Sequence, residues 1–188
     1  MIRYLLQTDW FIYKKGWIRM AASTDKIIPG LVPPREETEG VDFLAIYDSF
    51  DAETLTDEQL LKFAPKYPLL TGIGGEEFSN EIEEDLYPIP TMPIAVRMSM
   101  CLSYVQTYRR SIERAVEKWK NGKKTGYREA RAALMRAVEI KACTQYVSRQ
   151  YLHTTKEEML EEQEKWDRWN RLLDQKNGIA EVSGKAEE

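Results

Sequence analysis

The stretch TMPIAVRMSMCLSYVQTYRRSIERAVEKWKNG, residues 91–122, decides the fold because it predicts one long amphipathic helix. Apolar side chains recur along it at steps of three and four residues, which places them on one face of an α-helix. This apolar stripe consists of Ile94, Met98, Cys101, Val105, Tyr108, Ile112, Ala115 and Trp119. Thr91 is a candidate N-cap with Pro93 in the first turn, and Asn121-Gly122 is a typical helix end.

The same spacing predicts two more helices on the C-terminal side. The second begins near Thr125, and its stripe consists of Ala130, Ala133, Ala137, Ile140, Thr144, Val147 and Tyr151. The third begins at Thr155, which has the capping-box spacing with Glu158, and it ends at Asn177-Gly178. Its side chains expected to face the core are Met159, Leu160, Trp166, Trp169, Leu172 and Leu173. Because the links at 121–125 and 152–155 are short, neighbouring helices should pack side by side.

The N-terminal half has a different character. Residues 10–20 read as two short strands around a Lys14-Lys15-Gly16 turn, and residues 42–47 read as another short strand. Thr56 and Gln59 form a second capping-box pattern that opens a helix before Pro65. Loops are predicted at 22–40 and 71–90. The expected fold is mainly α with a minor β element: a mixed region 1–90, an antiparallel three-helix bundle 91–178 and a flexible acidic tail 179–188.

Charge is strongly segregated along the chain, although the net charge is only −4. Residues 1–35 carry 6 basic and 2 acidic side chains, residues 36–86 carry 2 and 15, residues 97–152 carry 13 and 4, and residues 153–188 carry 6 and 10. Surfaces of opposite charge need partners, which are either each other or other molecules. The charge pattern therefore predicts interaction surfaces rather than a reaction.

Two groups of residues form the candidate interaction surfaces. The basic tip, at the predicted turn between the first two long helices, comprises Arg109, Arg110, Arg114, Lys118, Lys120, Lys123, Lys124, Arg128 and Arg131. The acidic segment comprises Glu76, Glu77, Glu81, Glu83, Glu84 and Asp85. A charge match between the two, within one chain or between copies, is the favoured interpretation, because both are present in the same sequence. The alternative is that the basic tip contacts nucleic-acid phosphates.

No residue pattern predicts catalysis, a cofactor or a metal site. His153 is the only histidine and lies at a predicted helix end, where a structural role is favoured. The acidic residues could bind Mg²⁺ or Ca²⁺, but no calcium-loop pattern accompanies them, so an enzyme that uses them with a metal ranks last. Gly72, Gly74 and Gly75 lie in a sequence that lacks the GK[ST] of a phosphate loop and reads as a turn.

The remaining features concern location. The apolar run at the N-terminus is broken by Gln7 and Asp9, and no small-residue cleavage site follows, so no signal peptide is predicted. No stretch has the apolar length of a membrane span. Cys101 and Cys143 lack a CxxC spacing and are expected to be reduced core residues. We therefore expect a cytoplasmic or virion location without membrane partners.

The C-terminal half resembles the head-to-tail adaptor proteins of short-tailed bacteriophages. The residues that carry the resemblance are Met92-Pro93 opening a helix, the stretch from Lys141-Ala142 through Ser148-Arg149-Gln150-Tyr151, and the acidic helix from Glu157 to Asp174. The resemblance implies a helical bundle whose copies assemble in a ring beneath the portal, and it implies no catalytic residues. The expected function is a non-enzymatic assembly protein that binds itself, other proteins or both.

Overall fold

The computed structural model describes residues 24–73 and 90–176 of the protein. These residues form α-helices and two 3-10 turns, at Ala52–Thr54 and Ala64–Lys66. The helices are α1 Thr24–Ile27, α2 Phe43–Ser49, α3 Asp57–Phe63, α4 Pro68–Thr71, α5 Ile94–Lys120, α6 Gly126–His153 and α7 Lys156–Lys176. The mainly helical fold is confirmed.

The helices α5 and α6 form a long antiparallel pair, as their apolar stripes predict. At one end the Arg97 guanidinium donates to Gln150 Oε1 at 3.2 Å. At the other end, a Cβ placed on Gly126 would lie 2.4 Å from the Cα of Trp119, so the two backbones almost touch there. Between the ends, the facing sides of the two helices bury Cys101, Ile112, Ala115, Ala130, Leu134, Ala137, Ile140 and Val147.

The short helices α1 to α4 pack on this pair and share its core. Phe43 and Tyr47 of α2 are fully buried in one apolar cluster with Ile112 of α5 and Leu134 of α6. Phe63 of α3 belongs to the same cluster. The described parts of both predicted regions, 1–90 and 91–178, therefore contribute side chains to the same apolar cluster.

The strand predicted at 42–47 is wrong, because these residues begin helix α2. The Asp42 carboxylate accepts hydrogen bonds from the backbone N–H groups of Leu44 and Ala45, so Asp42 is the N-cap. Phe43 and Tyr47 are four residues apart, which puts both buried rings on one helical face. Short apolar runs do not distinguish a strand from a helix by their pattern alone. Residues 24–73 and 90–176 contain no strand, and the hairpin predicted at 10–20 lies outside them.

The two predicted capping boxes are confirmed, but the predicted Thr91 cap is wrong. Thr56 with Gln59, and Thr155 with Glu158, each exchange hydrogen bonds in both directions. The helix α5 begins at Ile94 with Pro93 as its N-cap, which provides no side-chain hydrogen bond. The missing hydrogen bond comes from Glu162 of α7, whose carboxylate accepts the Ile94 N–H at 2.9 Å.

The third long helix, α7, packs far less tightly than its sequence predicts. None of its described side chains is buried, and Met159 is the α7 residue that packs against an apolar cluster of α5 and α6. The prediction that Leu160 and Leu172 face the core is wrong, since they are 64% and 42% exposed. The helix end predicted at Asn177-Gly178 and the acidic tail 179–188 lie outside the described residues.

Candidate interaction surface at the basic tip

The basic tip surrounds the turn that joins α5 to α6. The chain leaves α5 at Lys120 and enters α6 at Gly126, and Gly122 has a φ of +72° that suits the tight turn. Residues 120–125 are all exposed. The tip is therefore the projecting end of a long and well-packed helix pair, and the backbone of two regular helices positions its charges.

Three residues of the basic tip form ion pairs within the chain. Arg109 binds Asp48 of α2 at 3.2 Å and also binds Glu113 one turn further along α5. Lys118 binds Glu129 at 2.7 Å, which links α5 to α6 across the turn. The hydrogen bond from Lys118, followed by one from Thr125, lowers the pKa of Glu129.

Arg131 is the third of these residues, and it has a structural role. Its guanidinium donates to the Pro33 carbonyl at 2.7 Å and binds Asp25 at 3.1 Å. Only 15% of its side chain is exposed. Arg131 therefore fastens the segment that follows α1 to the helix pair and is not available to a partner.

The other six residues of the basic tip are exposed and form no ion pair with any residue in 24–73 or 90–176. They are Arg110, Arg114, Lys120, Lys123, Lys124 and Arg128. An exposed cluster of one sign repels itself and attracts an anionic partner. The structure thus divides the predicted tip into three residues used inside the chain and six that are presented to solvent.

The two aromatic residues near the tip belong to the core. Trp119 and Tyr127 meet edge to face with a centroid separation of 5.2 Å, and both pack on Phe43. The Trp119 indole N–H donates to Glu37, and the Tyr127 hydroxyl donates to the Pro34 carbonyl. Neither ring is therefore free to stack on a nucleic-acid base, and the tip offers charge and hydrogen-bond donors instead.

The six residues of the acidic segment lie outside the described residues, but other carboxylates of the acidic block 36–86 are already paired. Asp48 binds Arg109, and Asp57 of α3 binds Arg149 of α6. Arg149 also donates to the Leu55 carbonyl at 2.8 Å. Part of the charge match between the basic and acidic blocks is therefore made within one chain.

Glu139 and Lys141 of α6 hold the short helices on the pair, and no sequence pattern predicted these contacts. Glu139 accepts hydrogen bonds from Lys66 at 2.6 Å and Tyr67 at 3.1 Å. Lys141 donates to the carbonyls of Tyr47 and Phe50 at the end of α2. The sequence does show that these two charged residues lie on either side of Ile140, a position of the apolar stripe. Their hydrogen-bond partners lie more than 70 residues away along the chain, so the local pattern does not identify them.

His153 is the last residue of α6, so it lies at a helix end as predicted. It lines a cleft of about 440 Å³ between the ends of α5, α6 and α7, together with Gln150, Glu158 and Lys165. Arg97 lies in the wall of this cleft, 5% exposed, and donates to the carbonyls of Met92 and Thr71. Burial lowers the pKa of Arg97, and the charge of Glu162 opposes that shift. These hydrogen bonds give Arg97 a structural role.

The other sequence candidates are placed as follows. Gly72 ends α4 with a φ of +74°, in agreement with a turn, while Gly74 and Gly75 lie outside the described residues. Cys101 and Cys143 are both buried free thiols, as expected. In the part of the chain that the structure describes, no three metal-binding side chains of His, Cys, Asp or Glu lie together.

Among the described helices, none combines the length and the apolar character that crossing a membrane requires. Searches against protein-family models, curated proteins and solved structures found no match to this chain.

Proposed function

We propose that this protein is a non-enzymatic assembly protein that acts through protein–protein contacts. The observation that supports this most directly is the set of six exposed basic side chains at one end of the α5–α6 pair, without ion-pair partners in the described ranges. Such a surface favours an acidic partner and sets the rate and orientation of its binding. The natural partners are a second copy of this chain, whose acidic segment has the opposite charge, and another acidic protein.

The packing of the helices supports a role as a rigid connector. The buried apolar faces of α5 and α6 hold the two helices together, and the ion pairs of Arg109 with Asp48 and of Lys118 with Glu129 add contacts at the base of the tip. Leu152 and Leu160, near the junction of α6 and α7, are exposed apolar side chains that a protein contact would cover. Together with the resemblance of the C-terminal half to phage head-to-tail adaptors, these features support a connector component of a virion.

The direct test is the solution mass of the full chain, measured by light scattering on a sizing column at low and high salt. We expect a discrete oligomer that dissociates as salt is raised, because screening weakens contacts between exposed charges. Reversing Arg110 and Arg114 to Glu should reduce assembly while Arg109 keeps its structural pair with Asp48. A monomer at both salt concentrations would contradict self-assembly.

A nucleic-acid-binding accessory protein is the alternative, and the same six exposed basic residues favour it. Because Trp119 and Tyr127 are used in the core, the contact would be with the phosphates of a duplex rather than with stacked bases. Fluorescence anisotropy with a labelled DNA duplex at about 50 and 200 mM salt tests this function. Affinity that falls steeply with salt would support it, and no binding at the lower salt would eliminate it.

A further inference from the structure

We propose that the cleft between the ends of α5, α6 and α7 binds an α-amino acid, whose carboxylate contacts Arg97 and whose ammonium group contacts Glu162. Arg97 belongs to the first turn of α5, and the basic tip surrounds the turn that follows the other end of this helix. The proposed ligand site is therefore separate from the basic tip. The proposal goes beyond the assembly function and does not depend on it.

Arg97 carries a buried charge that no carboxylate of the described residues neutralises by direct contact. It is the one charged side chain in residues 24–73 and 90–176 that is buried, with 5% of its surface exposed. None of the ion pairs formed by these residues includes Arg97. Burying a charge is costly unless the charge is paired. An anionic ligand would supply the missing counter-ion.

Three hydrogen bonds hold the Arg97 guanidinium in place and leave one of its nitrogens free. Nε donates to the Met92 carbonyl at 2.8 Å, and Nη1 donates to the Thr71 carbonyl at 3.0 Å and to Gln150 Oε1 at 3.2 Å. No acceptor in the described ranges binds Nη2, and no fully buried side-chain nitrogen there lacks a partner, so Nη2 is open to solvent. Because Arg97 lines the cleft, its free N–H groups are donors for a ligand there. The guanidinium is already ordered, which reduces the cost of binding.

Glu162 of α7 lines the same cleft and acts on Arg97 through its charge. Burial lowers the pKa of Arg97, and the negative charge of Glu162 opposes that shift. The two side chains form no ion pair, so their charged atoms are more than 4.0 Å apart. Oε2 of Glu162 accepts the Ile94 N–H instead. A ligand with both charges can place each one beside its opposite.

The rest of the lining favours an amino acid over a simple anion. Glu158 and Glu161 also line the cleft, whose volume of about 440 Å³ is typical of small-molecule sites. Lys165 is the other permanently charged cation of the lining, and it already pairs with Glu161 at 2.7 Å. Three carboxylates face two cations, so a phosphate dianion is repelled. The ammonium group of an amino acid offsets this repulsion.

The first test needs no variant. Isothermal titration calorimetry of the full chain measures the binding of each standard L-amino acid, and circular dichroism measures the Tm. We expect at least one amino acid to bind with a Kd of about 1 mM or lower, and to raise the Tm by about 4 °C at about ten times its Kd. The amide of that amino acid lacks the carboxylate and its N-acetyl derivative lacks the ammonium group, so each should bind at least about 10-fold more weakly.

The second test neutralises Glu162. The variant Glu162→Gln keeps an oxygen that can accept the Ile94 N–H but removes the charge. It should bind the amino acid about 5-fold more weakly, and acetate no more weakly than the wild type does, because only the ammonium contact is lost. Glu157→Gln is the matched control, since it removes the same charge from an exposed α7 residue outside the cleft, and it should bind like the wild type. Circular dichroism confirms that both variants are folded.

Equal affinity for the amino acid and its amide would overturn the carboxylate contact. Tighter binding of acetate or inorganic phosphate than of any amino acid would make the cleft a simple anion site and overturn the amino-acid assignment. Unchanged binding in Glu162→Gln, or no binding of any standard amino acid to the wild type, would overturn the proposal. None of these results affects the proposed assembly function, which the salt dependence of the solution mass tests.

Discussion

Charged residues of the short helices and of the helix pair have different roles according to their burial. Lys66 and Glu139 each have only 12% of their side chains exposed, and their pairing satisfies groups that would be costly to leave unpaired. Lys62 and Glu58 form a similar pair on the surface of α3, where solvent screens it. The sequence does not separate these cases, because burial depends on the short helices that cover α6.

The two cysteines show what a residue type can predict. Two thiols without a CxxC pattern, on apolar helical positions, were expected to be core residues, and both are fully buried. Burial raises the pKa of Cys101 from its ordinary 9.0 to about 11, with smaller opposing effects from Thr144 and Arg97. Burial also raises the pKa of Cys143 well above its ordinary value.

These pKa shifts predict a loss of stability at alkaline pH. Above pH 9 the unfolded chain releases the thiol protons while the folded chain retains them, so the free energy of unfolding falls as pH rises from 9 toward 11. At pH 10 we expect Cys101 alone to lower the free energy of unfolding by about 1.4 kcal/mol, and Cys143 acts in the same direction. Urea unfolding at pH 8 and pH 10, with reductant, measures the loss. A Cys101→Ala and Cys143→Ala double variant should lose less stability over this range, and an identical loss would contradict the prediction.

At the scale of secondary-structure elements, periodicity and capping predicted the long helices but not how tightly each one packs. The stripes of α5 and α6 are buried or half-buried except at Tyr151, which is 39% exposed, whereas α7 has an equally regular stripe and no buried described side chain. A stripe predicts that a face is apolar, not which element covers it. In the same way, the residues 42–47 have an apolar pattern too short to distinguish a strand from α2.

The close contact between α5 and α6 predicts the effect of Gly126→Ala. In a helix interior this change stabilises a protein by about 1 kcal/mol, and at the first residue of α6 helix propensity alone predicts a smaller gain. The new Cβ would lie 2.4 Å from the Cα of Trp119, which is backbone and cannot rotate away. We therefore expect the opposite sign, a loss of about 2 kcal/mol in the free energy of unfolding. Thermal or urea unfolding measures it, with the exposed Arg128→Ala as the control that should change stability by less than about 0.5 kcal/mol. A more stable Gly126→Ala protein would show that the helices separate there at no cost.

At the scale of the whole molecule, charge segregation was visible in the sequence, but the pairing of individual charges was not. Arg109 and Asp48 are 61 residues apart, and Arg149 and Asp57 are 92 apart. Their meeting depends on how α2 and α3 dock on the helix pair.

The shared core predicts that the short helices and the long pair unfold together. Phe43 of α2 is fully buried and makes edge-to-face contacts with Trp119 of α5 at 5.7 Å and Tyr127 of α6 at 5.3 Å. Phe43→Ala should reduce the free energy of unfolding by about 3 kcal/mol, which lowers the Tm by about 10 °C for a protein of this size.

The far-ultraviolet circular dichroism signal measures this effect on the long helices, because α5, α6 and α7 contain most of the described helical residues. A single transition that moves to lower temperature means that the loss of one α2 ring destabilises the helix pair. Ser49→Ala, at an exposed position of the same short helix, should leave the Tm almost unchanged. If the main transition of Phe43→Ala keeps the wild-type Tm, the short helices do not contribute to the stability of the pair, and the prediction of joint unfolding is wrong.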